Sequence, residues 1–203
     1  LALADNGTMG AHQLFRNRLP APLRQRGLNV LVLDARGRYT RAGAEVRELT
    51  LAELSFDTVL HAGYSAEQPL EPCLAAAQQD ILWAEHLAFV YPTWWGGLPA
   101  LLKGFIDRVF LPGFAFKYRK DSPWWDRLLV GRSARLLVTM DTPPWYYRWI
   151  YRMPGHNQMR RTVLEYCGIK PVRVSSFGIV KSSTASQRGK WLEAARRTGR
   201  EDA

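Results

Sequence analysis

Apolar positions along the chain change period several times, and the changes divide it into elements. Residues 44–51, "AEVRELTL", end in apolar/polar alternation and predict a strand. A polar, Pro-containing connection leads to Pro72, which suits the first turn of a helix through "CLAAAQQDILWAEH". "LAFVY" (87–91) is a short continuous apolar run, the pattern of a strand buried on both faces. Leu98, Leu101, Leu102, Phe105, Ile106, Val109 and Phe110 then recur at steps of three and four. That spacing predicts a helix with one apolar face, and it leaves Lys103, Asp107 and Arg108 on the other. "ARLLVTM" (134–140) predicts a second buried strand. "QMRRTVLEYC" predicts a helix stopped by Gly168, "KPVRVSSFGIV" a strand, and the segment from Ser182 an amphipathic terminal helix with Ser/Thr caps. Residues 111–133 and 141–157 read as long aromatic loops.

Strands separated by helices predict an α/β domain with a doubly wound parallel sheet. Ligands of such sheets bind beyond the carboxyl ends of the strands. Both "PTWWGG" (92–97) and "TMDTPPWYY" (139–147) follow buried strands, so both fall at that edge. Gly96 and Gly97 free the backbone to approach a flat ligand, and Trp94 and Trp95 offer apolar walls. Thr139, Asp141 and Thr142 bring short polar groups to the second loop. Each loop alone is equally a capped turn; together they predict one pocket for a planar ligand with polar edges.

The first 41 residues parse poorly. "LNVLVLD" (28–34) is a fair strand, but only ten residues separate it from the strand at Glu45, against the dozen or so expected of a parallel crossover. If "LALA" is the first strand instead, Pro20 and Pro22 interrupt the helix that follows. We therefore divide the chain into an atypical segment 1–41 and a domain 42–203.

The 203 residues suffice for one compact domain, and 47% hydrophobic with 23% charged residues is an ordinary globular balance. No apolar run reaches a membrane span, and the start has no leader pattern. Two cysteines, Cys73 and Cys167, give neither a disulfide framework nor a metal spacing, so a reduced cytoplasmic setting and no metal are expected. Net charge is +10, and half comes from residues 1–41, with seven arginines, no lysine and two acids. A second basic stretch, Arg148 to Arg161, is interleaved with Trp149, Tyr151 and His156. It comes with no nucleic-acid motif; a phosphate-bearing cofactor or a solvated surface explains it better. Hydrolase elbows, zinc helices and phosphate loops of the Walker type are missing from the sequence.

"YPTWWGGLPALLKGFIDRVFLPGFAFKY", with "FDTVLHAGYSAEQPLEP", "TMDTPPWYY" and "PGHNQMRRTVLEYCGIKPV", resembles the bacterial branch of the NAD(P)H:quinone oxidoreductases with a flavodoxin-like fold, over about residues 42–200. The resemblance implies a five-stranded parallel sheet, a bound flavin (FMN or FAD) and a homodimer with active sites near the interface. It implies hydride transfer from NAD(P)H through flavin to a quinone in two ping-pong half-reactions. By position it implies that Pro92, Thr93, Trp94, Trp95, Gly96 and Gly97, with Thr139, Met140, Asp141 and Thr142, hold the flavin. Phe116 and Tyr118 fall where aromatic residues wall the acceptor site, and Tyr118 and His156 are the catalytic candidates. The family's opening loop, a Gly-His-Pro followed by Ser and Asn that wraps the flavin phosphate, has no counterpart in residues 1–41, as in a fragment or a disrupted frame. The alternatives are a regulatory flavoprotein of a potassium-efflux transporter and a non-catalytic domain with a lost phosphate loop.

Overall fold

The computed structural model describes the backbone of residues 29–34 and 45–201. Expectations for "LALA", the prolines at 20 and 22, and residues 35–44 lie outside it. Among the described residues five parallel strands form the sheet: β1 (Asn29–Asp34), β2 (Glu45–Thr50), β3 (His86–Pro92), β6 (Ser133–Thr139) and β7 (Val172–Phe177), in the order β2-β1-β3-β6-β7. β4 (Phe116–Tyr118) and β5 (Trp125–Arg127) form a separate antiparallel hairpin. The helices are α1 (Pro72–Trp83), α2 (Ala100–Val109), α3 (Pro144–Trp149), α4 (Pro154–Asn157), α5 (Glu165–Cys167) and α6 (Ala185–Glu201), with a π-helix, Gln158–Leu164, between α4 and α5. Among the described residues, no helix is long and apolar enough to cross a membrane.

"LNVLVLD" is thus a strand of the sheet, paired in parallel with β2 from Asn29↔Glu45 to Asp34↔Thr50. The expected crossover length presumes a helix. Ten residues can reach roughly 33 Å when extended, and a six-residue strand is only about 20 Å long. The return is therefore possible over ten residues. The domain reaches back to Asn29 at least, inside the segment set apart as atypical.

Alternate residues of the central strands build the core. Leu87, Phe89, Tyr91, Leu136 and Val138 face Leu74, Ile81, Phe105, Val109, Met159 and Leu164. Burying each such side chain contributes about 1.5–3 kcal/mol. On the opposite face Ala88, Val90 and Leu137 are also buried, and Phe177 meets Trp191 of α6 at 6.3 Å. The helical period of α2 predicts Leu102, Phe105, Ile106 and Val109 as its buried stripe, and they are buried.

Arg108 departs from that pattern. Placed by periodicity on the polar face of α2, it is fully buried. Its guanidinium donates to the carbonyls of Asp57 and Pro69, both at 2.8 Å, and to Glu71 Oε2 at 2.9 Å. The connection 54–71 folds over the helix and supplies these acceptors, which no helical period can anticipate. Glu71 in turn accepts the Asp57 N–H, and that bond, then Arg108, holds its carboxyl below the usual range. The two long loops also contain structure. The β4–β5 strands are too short to show alternation, and Pro144 opens α3 at a position where its missing N–H is no loss.

Candidate active site

β3 and β6 are neighbours, and they end together at the pair Pro92↔Thr139. The next residue, Thr93, donates its N–H to the Thr139 carbonyl at 2.8 Å. The chain then reverses over Trp94–Gly97, with Trp94 N–H to Gly97 O at 3.2 Å and Gly97 N–H to Trp94 O at 2.9 Å. Trp95 (φ 50) and Gly96 (φ 75) occupy the two central positions, so the turn has the mirror-image geometry of a tight hairpin. Glycine accepts that backbone freely, but a tryptophan there costs on the order of 1–2 kcal/mol.

A polar knot holds the turn in place. The Gly96 carbonyl accepts the Tyr147 hydroxyl at 2.8 Å and the Gly155 N–H at 3.0 Å. The Gly155 N–H also lies 3.0 Å from the Tyr147 oxygen. Tyr147, on α3, is buried beneath these contacts. Its phenol pKa is raised by that burial, so it stays a donor. The turn therefore aims Trp95 outward, fully exposed, and Trp94 half-exposed. Neither ring is in the core. Tyr147→Phe removes the hydroxyl and should cost about 1–2 kcal/mol, read as a lower urea midpoint.

A third segment closes the site. After β7, Val180 N–H bonds to the Met140 carbonyl at 3.1 Å and Lys181 N–H to Asp141 Oδ1 at 2.7 Å. Asp141 thus ties two strand ends together. The result is a cavity of about 560 Å³ at the carboxyl edge of the sheet, within the range of small-molecule sites. Nine of the ten residues expected to hold a cofactor line it; Gly97 is the one that does not, and it packs against Gly155 behind the turn. Tyr151, Pro154 and Val180 also line it. They come from the loop after α3, the first residue of the short α4 and the segment after β7, which carry no period to read. Thr139 contributes to the cavity wall, but its hydroxyl is buried away from solvent and has no hydrogen-bond partner. Two indoles, a bare glycine backbone and the polar residues Thr93 and Thr142 fit a flat heterocycle with polar edges.

The flavodoxin-like fold family model matches residues 28–198. The chain belongs to the flavodoxin-like fold family. It is 32% identical over 116 residues to an NAD(P)H oxidoreductase of Haemophilus influenzae, covering 57% of this chain and 56% of that one. It is 37% identical over 81 residues to a ribosyldihydronicotinamide dehydrogenase-like protein of Penicillium crustosum, covering 37% of this chain and 30% of that one. These matches span about half or less of the relatives' length. The NAD(P)H:quinone oxidoreductase of Methanothermobacter marburgensis superposes with a TM-score of 0.69 at 24% identity, over 86% of this chain and 98% of that one.

Within this flavodoxin-like domain the remaining candidates lie elsewhere. Phe116 and Tyr118 line a second cavity of about 290 Å³ with Tyr64 and Tyr166. Phe116 meets Tyr118 at 5.3 Å and Tyr64 at 6.3 Å, both edge-on. His156 is buried beside Gly155, edge-on to Tyr147 at 4.9 Å, and is not part of the first cavity's lining. Burial lowers its pKa to about 4, so the ring is neutral at pH 7. Its Nε2 is buried without a partner.

Proposed function

We propose that this chain is a flavin-dependent NAD(P)H oxidoreductase that reduces a quinone-type acceptor in the cytoplasm. The observation that carries this reading is the 560 Å³ cavity, where the strained Trp95–Gly96 turn stands at the carboxyl ends of β3 and β6. Its relatives' names point to the same chemistry.

In this reading Trp94 and Trp95 wall the ring system of FMN or FAD, and Gly96 lets the backbone lie against it. Thr93 and Thr142, which also line the cavity, offer polar groups to the ring edge. Flavin held there would supply the two-electron redox chemistry that links NAD(P)H to the acceptor in two half-reactions. The protein contributes position: the knot of Tyr147, Gly155 and Gly96 fixes the turn, and Asp141 holds the facing loop on Lys181. Tyr151 lines the cavity, with its exposed ring available to an acceptor. Phe116 and Tyr118 stand in another cavity of the same chain. A homodimer accounts for them: Phe116 and Tyr118 of the partner subunit complete the acceptor site.

The test is direct. The purified chain, incubated with FMN or FAD and desalted, should retain a yellow chromophore and oxidise NAD(P)H only when a quinone is present. Parallel double-reciprocal lines are expected when both substrates are varied. A chain that takes up neither flavin overturns the proposal.

A further inference from the structure

The helix α3 exposes an apolar face that the cavity does not use. Trp145 and Trp149 stand one helical turn apart, which places them on one side. They are 63% and 69% exposed, and Ile150 follows at 57%. The Arg148 guanidinium lies over the Trp149 ring, 5.2 Å from its centroid. Arg152 is exposed three residues after Trp149. From Thr142 to Leu164 the chain carries four arginines (148, 152, 160, 161) and no acidic residue.

We propose that α3 docks the protein on an anionic lipid bilayer. Indole rings favour the headgroup level, where an apolar body and a polar edge are both satisfied. An arginine beside them meets lipid phosphate, and each such cation near an anionic surface contributes about 1 kcal/mol, or roughly fivefold in binding. A short element of this kind gives weak, reversible attachment that depends on both its apolar and its basic parts. A second copy of the chain is a poorer occupant. A two-fold contact centred on α3 sets the same patch against itself, and so brings Arg148 and Arg152 toward like charges with no acid on the segment to offset them.

Ring contacts link this surface to the cavity. Trp145 meets Tyr146 at 5.5 Å, and Tyr146 meets Tyr151 at 5.1 Å, edge-on in both cases. Tyr151 lines the cavity. A docked α3 therefore sets the Tyr151 side of the cavity near the membrane surface, where an apolar acceptor would arrive from the bilayer. The docking itself does not depend on the identity of that acceptor or on bound flavin.

The full chain is sedimented with phosphatidylglycerol vesicles and, separately, with phosphatidylcholine vesicles. It should pellet with the first and not the second, and high salt should release it. The pair Arg148→Gln/Arg152→Gln should weaken binding about tenfold or more. Trp145→Ser/Trp149→Ser should weaken it similarly, with far-UV circular dichroism unchanged. Equal pelleting of wild type and both variants overturns the proposal, as does no pelleting of wild type. A change of oligomeric state in the tryptophan variant without lipid binding by wild type shows that a second copy covers α3, and also overturns it.

Discussion

Gly155→Val should abolish flavin uptake and lower stability by about 3 kcal/mol. A Cβ at Gly155 would stand 2.9 Å from the Gly96 carbonyl oxygen, 3.0 Å from the Gly97 Cα and 3.1 Å from the Tyr147 hydroxyl. The first two are backbone atoms of the turn, so relief requires moving the turn itself. The third is the phenol that holds it. Moving the turn turns Trp95 and Gly96 away from the cavity, and the strain of Trp95 at positive φ has nothing left to oppose it. The control is Gly97→Ala, where a Cβ meets only the Trp94 carbonyl at 3.8 Å, an ordinary contact. That variant should fold and take up flavin like the wild type. Urea unfolding and a flavin fluorescence titration read the two effects separately. If Gly155→Val binds flavin as wild type does, the turn is not what shapes the cavity.

The contrast between these two glycines shows what sequence can and cannot reveal. "WWGG" suggests a turn where backbone meets a ligand, and Gly96 fills that role at φ 75. Gly97, its neighbour, instead accommodates Gly155, some 60 residues away, and no local pattern joins them. The sheet was legible because β3 and β6 are buried on both faces and read as continuous apolar runs. α2 was legible because one face repeats at helical spacing. The nine cavity residues were legible because two strand ends each carry a compact polar or aromatic signature. What escaped is what long-range contact decides. Arg108 looks like a surface cation and is buried by a loop 37 to 51 residues earlier. Tyr147 looks like one more ring of an aromatic loop and is the anchor of the turn. Trp94 and Trp95 were legible as pocket walls, but not the turn with Trp95 and Gly96 at positive φ that carries them. The strand at Asn29 was legible in itself; its place in the sheet was obscured by an expected crossover length.

Stability should fall by on the order of 3 kcal/mol as pH drops from about 6.5 to about 4, and His156 should be the cause. In the unfolded chain its imidazole titrates near 6.5; in the fold, burial lowers that to about 4. Between those values the unfolded state binds a proton that the folded state refuses. Unfolding is then favoured progressively as pH falls, by about 1.4 kcal/mol per unit. Above pH 6.5 both states are neutral and the contribution is level; below pH 4 both are protonated and the loss is complete. The buried Nε2 has no acceptor to stabilise the added proton, and the neighbouring Tyr147 is itself held neutral by burial. The lowered carboxyls of Asp57 and Glu71 act in a different window. Their stabilisation is present above their unfolded values, 3.8 and 4.5, and is lost as pH falls further. Urea midpoints measured in steps from pH 7.5 to 5.5 therefore isolate the histidine, before the carboxyls begin to protonate. His156→Gln should flatten that slope while leaving the loss at lower pH intact. A wild type with a level profile above pH 5.5 would mean that water reaches the ring and that burial does not hold it neutral.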